Sequence, residues 1–590
     1  MNVDTRICQN CKQSFTIESD DFDFYKKIEV PPPTFCSECR FQMRLASRNE
    51  RFLYRRQCAL CKKSILSIYA SEKPYIVYCP ECWWSDKWDP LSYGREYDFS
   101  KSFFEQYAEF KKSVPHEAVY HRNFVNSEYS NFGLNYKDCY LVFGGWDNER
   151  LYYGNSVGNV RDSLDITFGR NIELSYEVIS STKGSKLKFC RFCDDSNKLT
   201  LCIDCRSCTS CIGCVGLRGK QYYILNKPYS KEEYEKKVKS LNLGSYAAFQ
   251  QFRQRFSDFA LTQPYRASRF KNAIDCTGDN IIDSKNSKKS FELNKVEDAK
   301  YLLYGAEIKD SQDCLYVGTG GAELLYQISS SFGGHTQVCG IRTLFDQNAY
   351  YSEDCHNCEN IFGCIGVKKK SYCIFNKQYS PDEYETLRKR IVSQFESVPY
   401  ADKKGRTYHF GDYWPIELGP FGYNETKAQE FMLIEKELAL QESYPWRDPD
   451  SRNYGITIKT DDLPDHISDV PKSILDDIIE CAHKGTCKEN CTTAFKILPL
   501  EFELYKRIDV PLPRLCPNCR YMERLKRQNP PQLWKRSCTC AGKNDYKNVY
   551  ANTIEHFHGE NHCPNSFETS YAPDRPEIVY CEQCYQAEVV

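Results

Sequence analysis

Closely spaced cysteine pairs mark both ends of this chain. Near the start they fall at Cys8/Cys11, Cys36/Cys39, Cys58/Cys61 and Cys79/Cys82. Near the end stand Cys487/Cys491, Cys516/Cys519, Cys538, Cys563, Cys581 and Cys584. A Cys-x-x-Cys turn presents two sulfurs to one ion at low entropic cost, and two such turns close a tetrahedral site. The two ends also repeat each other. At an offset of 480 residues, Cys36 falls on Cys516, Cys39 on Cys519, Arg40 on Arg520 and Cys58 on Cys538. After a 22-residue insertion between Cys538 and Cys563, Tyr69-Ala70 falls on Tyr571-Ala572, Cys79 on Cys581 and Cys82 on Cys584.

This spacing predicts four zinc ions, two at each end. The simplest grouping takes Cys8, Cys11, Cys36 and Cys39 for one ion and Cys58, Cys61, Cys79 and Cys82 for the next; cross-braced grouping is the alternative. In the last module the first pair, Cys487/Cys491, is one residue longer than its twin, and Cys481 and His483 lie close enough to compete with it. Cys540, His556, His558 and His562 sit in or beside the insertion and count as extras, because the repeat supplies Cys563. Sites with four cysteine ligands are closed and hold a fold together, whereas catalytic zinc keeps an open position and often uses His. The chain has only 10 His, so the reading leans away from an enzyme. No Walker loop, dinucleotide-binding glycine motif or nucleophile elbow is visible.

The 33 cysteines fit either a secreted disulfide scaffold or metal ligands and buried thiols in a reducing cell. Length, paired spacing and a polar start, Met1 to Asn10, favour the second and a cytoplasmic location. No run of about 18 apolar residues occurs, so no membrane insertion is expected.

The middle of the chain repeats at an offset of 150, which carries Cys205, Cys208 and Cys214 onto Cys355, Cys358 and Cys364. Short β-type stretches such as Asp138–Leu141, Arg150–Tyr153, Ser163–Ile166 and Glu173–Tyr176 are punctuated by Asn, Gly, Asp and Ser. Small stacked rungs of this kind fit a β-solenoid, with a β-sandwich pair as the alternative. Capping boxes at Ser230/Glu233 and Ser380/Glu383 start helices, and further helices are expected around Ser100–Lys112, Tyr246–Phe256 and Thr426–Gln441. The fold class is therefore α+β and β-rich, with duplicated zinc-ribbon or treble-clef-like modules flanking two tandem β-repeat domains. The expected domains are 1–98, a double zinc-knuckle module; 99–122, a helical connector; 123–242, a β-repeat; 243–272, a helical connector; 273–396, the second β-repeat; 397–480, a mixed connector; and 481–590, the second double module. The aromatic run Tyr408 to Tyr423 in the mixed connector suggests packing rather than a free tether.

Net charge is −1 overall but locally segregated. Cys36 to Lys63 carries eight Lys/Arg against two Glu, and Arg514 to Lys547 carries nine Lys/Arg against two acids. Both stretches begin at a knuckle and read as helices, which places Arg40, Arg44, Arg48 and Arg55, and Arg520, Arg524, Arg527 and Arg536, as candidate contacts to nucleic acid. The competing reading is arginines bound to acidic surface elsewhere in a nearly neutral chain. A purely protein-binding scaffold within a protein complex is the other partner reading. A third possibility is redox or metal-cluster chemistry on the ladder Cys190, Cys193, Cys202, Cys205, Cys208, Cys211 and Cys214, echoed by Cys355, Cys358, Cys364 and Cys373. That ladder lacks the final spacing and Pro of a ferredoxin run, and cysteines lining a narrow solenoid interior account for it more simply.

With these knuckles in view, the ending Phe567–Cys584, the stretch Cys82–Pro90 and the stretch Gly422–Glu430 are similar to an uncharacterised family of large multi-zinc-ribbon proteins from candidate-phyla bacteria with small genomes. The resemblance covers nearly the whole chain. It implies bound zinc and brings no particular activity.

Overall fold

The computed structural model describes residues 3–449 and 454–590; Met1 and Asn2 of the polar start, and residues 450–453 of the connector expected at 397–480, lie outside it. The chain is mixed α and β, rich in strands, and divides into two compact units. Unit 1 comprises Met1–Val119, Ser268–Asp448 and Pro531–Leu533; unit 2 comprises Tyr120–Ala267, Pro449–Pro530 and Trp534–Val590. The first cysteine module therefore belongs with residues 268–448, and the last module with residues 120–267.

Each unit is built on a parallel ladder whose step is mostly 12 residues, shortened to 11 where Phe270 pairs with Ile281. In unit 2, Leu151 pairs with Ser163, Ile172 with Gly184, Leu199 with Cys211 and Cys211 with Tyr223, a step of 12 residues each time. In unit 1 Phe291 pairs with Leu303 and Ala349 with Ile361 at the same step. The backbone turns at every third residue: φ is positive at Lys183, Lys186, Phe189, Phe192, Asp195 and Lys198. A left-handed corner costs an ordinary side chain roughly 1–2 kcal/mol, and stacking of equivalent corners offsets part of it. Asn123 donates to Asn135 at 2.9 Å and Asn135 to Asp147 at 2.7 Å, each bridging one step. Asn159 and Asn171 repeat the contact at 2.7 Å.

The residue after each corner points inward, and this sets the sequence. Leu187, Cys190, Cys193, Ser196, Leu199, Cys202, Cys205, Cys208, Cys211 and Cys214 are all buried in one narrow column. The three-residue spacing of the cysteine ladder is thus the spacing of inward slots, four to a step. Their thiols lie 3.3–3.7 Å from backbone carbonyls: Cys202 Sγ reaches the oxygens of Thr200 and Cys211, and Cys208 Sγ those of Arg206 and Leu217. Inward serines are satisfied in a related way. Ser163 Oγ donates to the Arg161 carbonyl at 2.7 Å and accepts from Ser175 N–H at 3.1 Å. Small, locally satisfied side chains fill this column together with aliphatic ones such as Leu187 and Leu199.

Each ladder ends in an antiparallel hairpin, Gln221–Ile224 with Lys227–Pro228 and Ser371–Ile374 with Lys377–Gln378. A capped helix follows each one, Lys231–Leu241 behind Ser230/Glu233 and Pro381–Ser397 behind Ser380/Glu383, as the capping boxes predict. Helices Phe103–Ser113 and Tyr246–Ala260 also form where expected. The helix expected over Thr426–Gln441 is broken into Lys427–Phe431 and Lys436–Gln441. Of the short β stretches, Arg150–Tyr153 overlaps Glu149–Tyr152 and Ser163–Ile166 lies within Asn155–Thr167, whereas Glu173–Tyr176 straddles a corner. The aromatic run packs: Tyr408, Phe410, Tyr413, Phe421 and Tyr423 are buried.

Candidate metal centres

Four cysteine groups arise from one local design. A short antiparallel hairpin carries two cysteines in its turn, and a helix start carries the other two. The hairpins are Asp4–Ile7 with Ser14–Ile17, Tyr54–Gln57 with Ser64–Ser67, Ile479–Glu480 with Ala494–Phe495, and Trp534–Ser537 with Ser566–Thr569. The helices are α1 (Ser37–Ala46), α2 (Pro80–Trp83), α3 (Pro517–Arg527) and α4 (Glu582–Val589), N-capped by Cys36, Cys79, Cys516 and Cys581. The resulting groups are Cys8, Cys11, Cys36, Cys39; Cys58, Cys61, Cys79, Cys82; Cys481, Cys491, Cys516, Cys519; and Cys538, Cys563, Cys581, Cys584. Sequential rather than cross-braced grouping is what the structure shows.

The geometry fits a tetrahedral ion. Metal–sulfur bonds of about 2.3 Å place sulfurs about 3.8 Å apart at tetrahedral angles. Observed separations are 3.7 Å for Cys11 and Cys36, 3.9 Å for Cys61 and Cys79, 4.0 Å for Cys491 and Cys516, and 3.8 Å for Cys563 and Cys581. Backbone N–H groups add positive potential. The capping cysteine donates its N–H to the first hairpin sulfur in every group, Cys36 to Cys8, Cys79 to Cys58, Cys516 to Cys481 and Cys581 to Cys538, at 3.2–3.3 Å. Helix N-termini favour thiolate further. Asn10 donates to Cys39 Sγ at 3.3 Å, and Asn565 to Cys581 Sγ at the same distance.

The third group brings in Cys481, the competitor noted on the sequence, with Cys491, Cys516 and Cys519. Cys481 occupies the place of Cys8: it follows the first hairpin strand directly and receives the Cys516 N–H. Cys487 is half-buried beside the group, its sulfur 3.7 Å from Cys519 Sγ. Spacing alone favoured the compact pair Cys487/Cys491. The position just behind a strand was the signal that identifies Cys481.

Around the fourth group the insertion folds back. Cys540, His556, His558 and Cys584 present ligand atoms within 4.8 Å of one another, so Cys584 takes part in two groups. Cys540 Sγ lies 3.4 Å from His556 Nδ1, and Cys584 Sγ 3.3 Å from His558 Nε2. Cys540, His556 and His558 are among the residues counted as extras on the sequence; His562 is not in this group.

Five of the eight arginines occupy internal positions. α1 ends at Ala46, so Arg48 follows it and Arg55 is exposed on the strand Tyr54–Gln57; Arg536 likewise lies on Trp534–Ser537. The long basic helices expected from the spacing do not form. Asn49 turns the chain by bonding Phe52 and the Ile68 carbonyl, and Pro530-Pro531 follows the end of α3. Arg40 and Arg44 both pair with Asp313, at 2.8 and 2.9 Å. Arg48 pairs with Glu50 at 2.5 Å and stacks over Tyr316. Arg520 pairs with Asp165 at 2.8 Å, and Arg524 with Asp165 at 2.7 Å and Glu177 at 2.8 Å. Arg527 also pairs with Glu177. Arg536 donates to the carbonyls of Ala572 and Glu577. Arg40, Arg44, Arg48, Arg520 and Arg524 are at most 5% exposed, so their guanidinium groups are held by the protein itself. Burial works against the charge of Glu177, yet Arg524 and Arg527 outweigh it and hold the carboxyl below its ordinary range.

A comparison with protein-family models finds no match, and a comparison with curated proteins finds none either. Among the described residues no helix is long and apolar enough to cross a membrane.

Proposed function

We propose that this chain is a non-enzymatic, zinc-stabilised scaffold. The carrying observation is that each of the four cysteine groups supplies a complete tetrahedral set from protein alone, which leaves no position for a substrate. The hairpin-plus-helix units read as treble-clef-like modules, and the 12-residue ladders as two β-solenoids. Arg40, Arg44, Arg520, Arg524 and Arg527 serve instead to dock α1 and α3 onto carboxylates of the ladders. A protein partner therefore suits the scaffold better than nucleic acid.

Three inward cysteines outside the Cys190–Cys214 ladder support the same reading. Burial pushes the Cys139 and Cys373 thiols up to about 11 and the Cys358 thiol up to about 12, so they stay protonated and unreactive at neutral pH. Paired thiolate ligands of this kind suit a reducing, cytoplasmic compartment.

The test is elemental analysis of purified full-length protein together with strong chelation. Zinc should be present in the four all-thiolate groups, and chelation should unfold the terminal modules. Protein that holds no zinc and keeps its termini folded in chelator would rule the reading out. Nucleic-acid binding that weakens steeply with salt would restore the phosphate reading.

A further inference from the structure

The last module departs from its twin by the 22-residue insertion between Cys538 and Cys563. That segment brings two imidazoles and a thiol against a sulfur already belonging to a complete four-thiolate group. We propose that Cys540, His556, His558 and Cys584 hold a fifth zinc ion, with the Cys584 thiolate bridging it to the ion of Cys538, Cys563, Cys581 and Cys584. The proposal rests on the zinc reading above and extends it to a paired centre.

The distances agree with such an ion. Zinc–nitrogen bonds of about 2.0 Å and zinc–sulfur bonds of about 2.3 Å set nitrogen and sulfur about 3.5 Å apart at tetrahedral angles. The two nitrogen–sulfur separations are 3.4 and 3.3 Å. On its other side Cys584 Sγ lies 3.7 Å from Cys563 Sγ, a normal edge of the all-thiolate tetrahedron. Only a sulfur shared by two ions satisfies both sets at full coordination.

The surroundings are arranged as metal-bound imidazoles require. A ligating His presents one bare nitrogen and fixes the other N–H on an acceptor. His556 turns Nδ1 to the centre and places Nε2 3.2 Å from Glu588 Oε2. His558 turns Nε2 to the centre and places Nδ1 2.7 Å from the Asn561 carbonyl. The Glu588 side chain is fully buried and is itself held by Tyr550 Oη, Thr553 N–H and Thr553 Oγ1, each at 2.8 Å. Asn552 donates to Cys540 Sγ at 3.3 Å, and Tyr580 Oη fixes Asn552 from behind at 2.7 Å. Two independently fixed imidazoles converging on two sulfurs have no purpose in a hydrophobic core, whereas an ion explains them all. Glu588 is then a positioning residue that acts through His556.

The twin module has no counterpart: Cys58 and Cys61 are joined by Ala59-Leu60 alone. The fifth ion therefore belongs to the insertion and anchors it to α4.

Zinc counting on full-length protein, in wild type and in His556→Ala/His558→Ala, tests this. Five ions in wild type and four in the variant are expected. Four in both would overturn the fifth site and leave the scaffold reading intact; none in either would overturn the zinc reading beneath it. The bridge is tested without any substitution, by replacing zinc with 113Cd. Two resonances should be split by mutual coupling through Cys584 Sγ, and five unsplit lines would overturn the bridge. Glu588→Gln should weaken the fifth ion alone by about 10–100-fold; unchanged retention against a competing chelator would overturn the assigned role of Glu588.

Discussion

In unit 1 two arginines share one aspartate, whereas in unit 2 three arginines meet three carboxylates. The docking geometry is common to both. Arg40 and Arg44 of α1 converge on Asp313, and Arg520 and Arg524 of α3 converge on Asp165. Unit 1 completes its arginines with neutral oxygens: the Phe35 carbonyl takes Arg40 Nη1 at 2.7 Å, and Gln327 Oε1 takes Arg44 Nη1 at 2.6 Å. Unit 2 keeps neutral partners too, the Leu515 carbonyl and Thr167 Oγ1 at 3.0 Å, and adds Glu177 against Arg524 and Arg527, and Glu501 at 3.5 Å from Arg520. One clamp thus carries surplus cation, the other is balanced. The shared geometry specifies where each helix sits, and the charge count sets which substitution each unit tolerates.

The largest effect is expected from Asp313→Asn. It strands two buried guanidinium groups and should cost unit 1 about 3–5 kcal/mol, the range for breaking a buried pair. Asp165→Asn should cost unit 2 roughly half as much, because Glu177 and Glu501 still face the arginines. The order reverses for the cations. Arg524→Met leaves three carboxylates to two arginines and should cost about 2–3 kcal/mol, whereas Arg44→Met removes a surplus charge and should cost about 1 kcal/mol or less. Hydrogen exchange read separately over residues 291–344 and 155–212 gives the two stabilities. Equal losses in both units would break the comparison.

How much of this was legible in the sequence depended on the chemistry. The knuckles were visible because thiolate pairs need a fixed spacing, and the helix starts because Ser230/Glu233 and Ser380/Glu383 satisfy orphan N–H groups locally. The corners of the ladders were only partly visible. Asn and Asp announce a left-handed residue, but Lys183, Phe189, Phe192 and Leu201 adopt it too, held there by stacking on neighbouring steps rather than by their own preference. The period of three in the cysteine ladder was plain, yet its meaning required those corners. The acids that meet α1 and α3 could not be read at all. Asp313 and Asp165 lie 273 and 355 residues from Arg40 and Arg520, and nothing local marks them. The competing reading of the arginines, that they bind acidic groups within the chain, named the right chemistry without the partners.

A smaller difference sits inside the ladders. At the repeat offset of 150, Ser196 of unit 2 corresponds to Asp346 of unit 1. Both fill an inward slot and accept the N–H of the residue one step on: Ser196 Oγ from Cys208 at 3.1 Å, and Asp346 Oδ1 from Cys358 at 2.8 Å. A hydroxyl is neutral there at any pH. Burial pushes the Asp346 carboxyl up to about 8, against which the Cys358 N–H is a minor pull, and Oδ2 has no hydrogen-bond partner. The folded chain therefore keeps a proton on Asp346 that the unfolded chain releases near pH 4. Folding takes up that proton, so this contribution to stability is fully present below about pH 4 and is lost as pH rises to about 8. Between pH 6 and 7 unit 1 should lose about 1 kcal/mol from this slot, while unit 2 loses nothing from its own. Asp346→Asn, which keeps the shape and removes the proton, should flatten the slope in unit 1. Hydrogen exchange at the two pH values, corrected for intrinsic rates, reads it directly, and a slope that survives the substitution would place its source elsewhere.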